Sequence, residues 1–86
     1  MQTFDYVIQE ALGIHARPAG LLVKFSSSLK SDLEIKVQDG RVANPKKLFS
    51  VMGLGVKYGD KITVSVEGPN EVEEAKQLKR FFKDKL

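Results

Sequence analysis

Three stretches alternate apolar side chains with others at period two. In "TFDYVIQ" the apolar set is Phe4, Tyr6 and Ile8; in "LEIKVQ" it is Leu33, Ile35 and Val37; in "KITVSVE" it is Ile62, Val64 and Val66. The intervening positions carry Asp5, Glu34, Lys36, Lys61, Thr63 and Ser65. Successive side chains of a strand point to opposite faces, so each stretch reads as a strand with one dry and one wet face. That pattern belongs to an antiparallel sheet packed on one side only. Asp39-Gly40, directly after the second run, is a hairpin turn leading into a short strand near Arg41–Ala43.

A half-dry sheet needs a covering layer, and three segments have helical character. The first spans 16–28, with Ala19, Leu22, Val23, Ser26 and Leu29 toward the sheet. Pro18 is tolerated there because first-turn amides have no intrahelical acceptor. The second is short: Asn44 caps it, Pro45 takes its first position, and it ends near Gly53 or Gly55. Pro69 stops the last strand, and Asn70, with Glu73 as capping-box partner, starts the third helix. Val72, Ala75, Leu78 and Phe82 fall on one face of it.

Acids crowd the start of that helix (Glu71, Glu73, Glu74), and Lys79, Arg80, Lys83 and Lys85 its end. This matches the helix dipole, so the basic end reads as a solvated face rather than a nucleic-acid patch. The order β-α-β-β-α-β-α predicts an α+β chain. Its architecture is an open-faced β-sandwich: a four-stranded antiparallel sheet covered on one face by three helices. The 86 residues form a single domain, 1–86.

Composition removes whole classes of chemistry. There is no cysteine, so no disulfide or thiolate chemistry. One histidine does not make a multi-histidine metal site, and neither a metal nor a cofactor is expected. No apolar run approaches the ~20 residues of a membrane span. The opening "MQTFDYVIQEA" lacks a secretory signal's basic start and apolar stretch, so a cytoplasmic location without membrane insertion is the expectation. A net charge of +3 fits acidic partners and does not require nucleic acid.

The lone histidine lies in "GIHARPAG", residues 13–20. His15 immediately precedes the first helix, so the first free backbone amides, at Ala16 and Arg17, offer an anion site. The Arg17 guanidinium can fork onto phosphate oxygens, and an imidazole is a nucleophile near neutral pH. These are the parts needed to form and hold a phosphohistidine. No acid, hydroxyl or second base is indicated nearby to deliver water, which favours a carrier over a hydrolase. The bland alternative stays open here: a surface histidine before a helix, beside a solvated arginine.

"GIHARPA" with its apolar helix, the "VQDGRV" hairpin, "KKLFSVMGLGV" and the closing "GPNEVEEAKQLKRFF" together resemble the HPr family across essentially the whole chain. These are histidine-containing phosphocarriers of the bacterial sugar phosphotransferase system. The resemblance implies the open-faced sandwich found above. It implies phosphorylation of His15 on Nδ1, with Arg17 steadying the phosphoryl group and Gly13, Ala16 and Pro18 as scaffold. It implies Enzyme I, charged by phosphoenolpyruvate, as donor and EIIA domains as acceptors. The chain would then be a carrier rather than a turnover enzyme, working as a monomer. Leu48, Phe49 and Met52 of the middle helix, with Gly20 alongside, match the partner-docking positions. At least one of those three is expected to face the core instead.

Two positions depart from the family pattern. Many relatives carry a regulatory serine at the start of the middle helix, where this chain has Lys47. A lysine has no hydroxyl to phosphorylate, so seryl-phosphorylated corepression is not expected, and Ser50 is the only hydroxyl nearby. Lys47 would instead strengthen docking to an acidic Enzyme I surface. Leu12 replaces a small polar residue common in relatives and has no hydrogen-bonding group. Both keep a specialised carrier in view, one serving a regulatory, nitrogen-related or dihydroxyacetone pathway. An acylphosphatase-like hydrolase fits less well, because "HARP" at a helix start does not resemble its phosphate loop. A nucleic-acid module lacks stacking aromatics on a basic strand face.

Overall fold

A computed structural model describes residues 1–86. The element order is β1 (Gln2–Val7), α1 (Ala16–Ser27), β2 (Asp32–Val37), β3 (Val42–Ala43), α2 (Leu48–Met52), β4 (Lys61–Glu67) and α3 (Glu71–Lys85). The strands lie in the order β1-β4-β2-β3, every pair antiparallel. The last strand therefore fills the gap between the first two.

The register aligns the period-two sets. Phe4 pairs with Val64 and Val64 with Ile35; Tyr6 pairs with Ile62 and Ile62 with Val37. Ile35, Ile62, Val64 and Val66 are fully or almost fully buried, while Asp5, Glu34, Lys36 and Lys61 face out. Leu22 of α1 and Leu78 and Phe82 of α3 close the dry face, and Phe82 packs against Phe4 and Tyr6 at ring-centroid distances of 5.9 and 5.6 Å. Phe25 of α1 stacks on Phe81 of α3 at 5.0 Å, joining the two long helices. The open-faced sandwich expected from the sequence is the fold found.

Local differences have physical causes. α2 starts at Leu48, not Pro45. The Asn44 side chain accepts from the Lys46 amide (2.9 Å) and its carbonyl accepts from Lys47 (2.9 Å), closing a turn that ends before the helix begins. Asn70 stands at the N-cap of α3 but makes no side-chain cap, its φ of −109° and ψ of 28° lying outside the extended region a capping side chain needs. The capping-box role expected of Glu73 is absent; Glu71 instead accepts from the Gly68 amide at 3.4 Å and pairs with the Met1 amine at 2.6 Å. Val72 is exposed, and the inward position next to Leu78 and Phe82 belongs to Glu74.

Candidate functional site

The segment leaving β1 is held at both ends before it reaches His15. Gln9 and Glu10 donate their amides to the Leu86 carbonyl (2.6 and 2.8 Å), which brings the end of α3 beside the loop. Gly13 closes a turn by donating to the Glu10 carbonyl at 2.9 Å, with φ of +70°. A Cβ at Gly13 would lie 2.2 Å from the Val56 carbonyl oxygen, so glycine is needed there for both conformation and close approach. Ile14 donates to that same carbonyl at 3.1 Å and is buried. Pro18 and Ala19 are buried on the other side, so His15 sits between two anchored segments.

His15 is the N-cap of α1 in extended geometry (φ −105°, ψ −175°), and its imidazole makes no capping bond. Its carbonyl accepts from Ala19 at 2.8 Å, the first bond of the helix. The amides of Ala16 and Arg17 have no backbone acceptor, and Pro18 has no amide at all. Two free donors thus remain at the positive end of a 12-residue helix, immediately after the imidazole.

His15 and Arg17 line one shallow depression with Glu10, Leu12, Pro18, Leu21 and Lys85. Sequence reasoning missed three members. Leu21 follows from helical spacing but was not assigned. Lys85 arrives only because α3 ends against the β1 loop, for which no local signal exists. Glu10 contradicts the expectation that no acid is near: its Oε1 lies 3.9 Å from His15 Nε2. Both side chains are a little over one-third exposed, so solvent screens the pair.

α2 packs against α1, on the helix whose start carries the depression. All three apolar candidates are accessible: Leu48 at 37%, Met52 at 39% and Phe49 at 87%. None of them takes the core position expected for at least one; Val51 fills it, fully buried. Lys47 is exposed at the N-cap of α2, and the space a Cβ would fill at Gly20 is open. Ser50 is half-buried and its Oγ accepts from the Asn44 amide at 3.0 Å.

A part-exposed imidazole beside acceptor-free amides at a helix start, on an open-faced sandwich, is the arrangement of a small histidine phosphocarrier. The family model described as "PTS HPr component phosphorylation site" matches residues 2–84, and the chain belongs to the HPr family. It is similar to the phosphocarrier protein HPr of Mycoplasma genitalium, 37% identical over 92% of this chain and 90% of that one. Among solved structures, HPr-C-His from Thermoanaerobacter tengcongensis is 33% identical with a TM-score of 0.91, covering 99% of this chain and 94% of that one. A Mycoplasma histidine-containing phosphocarrier is 29% identical with a TM-score of 0.90, covering 96% and 93%. No helix is long and apolar enough to cross a membrane.

Proposed function

We propose that His15 accepts a phosphoryl group from Enzyme I and passes it to EIIA domains in sugar uptake. The observation that carries this reading is the juxtaposition at the start of α1. A part-exposed imidazole stands directly before two acceptor-free amides and in one depression with Arg17. In this reading Nδ1 is the nucleophile, Ala16, Arg17 and the Arg17 guanidinium hold the phosphate oxygens, and His15 is regenerated on transfer. The chain is then a stoichiometric carrier, acting as a monomer in the cytoplasm without cofactor or metal. Gly20, Lys47, Leu48, Phe49 and Met52 form the surface partners dock on.

Intact mass after incubation with phosphoenolpyruvate, Mg²⁺ and Enzyme I, with His15→Ala alongside, tests this. One acid-labile phosphate on wild type and none on the variant is expected. No transfer from a cognate Enzyme I would reject the donor assignment.

A second reading, a specialised carrier for a regulatory, nitrogen-related or dihydroxyacetone pathway, is favoured by two exposed residues, Leu12 in the depression and Lys47 at the start of α2. Leu12 is 72% exposed and presents an apolar side chain, and Lys47 puts an exposed cation where the family resemblance implies a serine in many members. Phosphoryl transfer to a panel of EIIA and dihydroxyacetone-kinase acceptors separates the two readings. Incubation with HPr kinase and ATP is expected to leave Ser50, the one serine of α2, unmodified.

A further inference from the structure

We propose that Glu10 is a positioning residue that directs the phosphoryl group to Nδ1 of His15 by placing a negative charge on the Nε2 side of the ring. The inference rests on the phosphate-accepting role given to His15 above. Glu10 Oε1 stands 3.9 Å from His15 Nε2. The backbone that carries the carboxylate is fixed: the Glu10 amide donates to Leu86 (2.8 Å) and its carbonyl accepts from Gly13 (2.9 Å), which holds the Cα beside the ring. The backbone of His15 is extended, and its ring makes no capping bond that would occupy a nitrogen on the helix.

A neutral imidazole attacks through the nitrogen that carries no hydrogen. A carboxylate beside Nε2 favours the proton there and leaves the lone pair on Nδ1. That pair then forms the N–P bond, and the donor's bond to phosphorus breaks, its electrons leaving with the donor group. The ring keeps its Nε2 proton and becomes cationic beside Glu10, which offsets the new charge. On onward transfer the N–P electrons return to Nδ1, restoring a neutral imidazole with the proton still on Nε2. Attack through Nε2 would instead press a phosphoryl dianion against the carboxylate. Arg17 and Lys85 draw a phosphoryl group into the depression; Glu10 decides which nitrogen it reaches.

The test uses phosphoramidate, a chemical phosphoryl donor that leaves as ammonia, so no partner protein is involved. Wild type, Glu10→Gln, Glu10→Ala and Glu10→Asp, each with ¹⁵N-labelled histidine, are phosphorylated and the modified nitrogen is read from ¹⁵N and ³¹P NMR. Wild type should carry phosphate on Nδ1. The ratio of Nε2 to Nδ1 product should rise about fivefold in the Gln and Ala variants, the size expected for one unit charge at ~4 Å in a largely aqueous setting. Glu10→Asp, which keeps the charge, should stay nearer wild type than either. Equal ratios across the set, or an Nε2 product dominating in wild type, would overturn the proposal. Failure of Enzyme I to charge the protein would count against the function proposed above and leave this readout intact.

Discussion

The carboxylate of Glu74 has two oxygens and three donors aimed at them. Oε1 accepts from the Ser31 amide (2.9 Å) and hydroxyl (2.5 Å), and Oε2 from the Lys30 amide (3.0 Å), so α3 is stapled to the turn between α1 and β2. These bonds, that from the Ser31 hydroxyl foremost, favour the ionised form and hold its pKa below the ordinary 4.5. The folded chain therefore binds this proton less readily than the unfolded one. The stability involved is fully present above pH 4.5 and is lost as pH falls through the lower folded value. Glu74→Gln leaves one acceptor oxygen and turns an amide donor on one of the three groups. It should cost about 1–3 kcal/mol at neutral pH by calorimetry, with the gap to wild type narrowing on acidification. A gap independent of pH would mean that ionisation of Glu74 contributes nothing. Gly13 makes the opposite kind of demand, for absence of a side chain. Gly13→Ala should cost about 1–3 kcal/mol from its left-handed backbone alone, and more from the clash with Val56. Slower phosphorylation of His15 should accompany the fall in Tm, because the displaced loop is the one that presents the ring.

α2 has five residues, too few to be helical in isolation, and its neighbours hold it. Val51 anchors it in the core, Ser50 Oγ accepts from the Asn44 amide, and Lys46 Nζ donates to the Leu29 carbonyl at 2.9 Å. Its two faces should separate under mutation. Val51→Ala removes buried methyl groups and should lower stability by about 2–3 kcal/mol. Phe49→Ala touches little and should stay within about 0.5 kcal/mol of wild type, yet weaken binding to Enzyme I roughly tenfold if Phe49 is a docking anchor. Unfolding curves and titration calorimetry on the two variants read these effects separately. The start of this helix was the element least legible in the sequence. Asn followed by Pro caps a helix and closes an isolated turn by the same hydrogen-bonding chemistry, and only the following Lys46-Lys47 geometry decides between them. The strands were legible because alternation over six or seven residues has no competing explanation. Glu74 was not, since an acid in a first helical turn already has an adequate reason to be there in the dipole.

At the scale of the molecule, the candidate site joins segments seventy residues apart. His15, Ala16 and Arg17 are contiguous and helix-start chemistry makes them readable. Lys85 meets them only because the end of α3 closes on the loop after β1, a long-range contact that no local pattern encodes. Glu10 lies on that loop, close to His15 in sequence, where the Glu10–Gly13 turn folds the chain back. Leu86 is the clasp: its side chain is buried and its carbonyl takes the amides of Gln9 and Glu10. Two variants separate these roles. Leu86→Ala keeps the carbonyl and loses core packing, so the whole molecule should weaken by about 2 kcal/mol or more, and amide exchange should quicken throughout. Deletion of Leu86 removes the acceptor as well, and exchange at Gln9 and Glu10 should rise by roughly two- to tenfold beyond the global change, equivalent to one lost hydrogen bond each. Amide exchange followed by NMR resolves the two amides individually. If they exchange no faster in the deletion than in Leu86→Ala, the loop holds itself through the Glu10–Gly13 turn and the end of α3 has no part in presenting His15. If they do, the His15 ring depends on a contact at the far end of the chain, and substitution of Leu86, which does not line the depression, becomes a route to changing how the ring is presented.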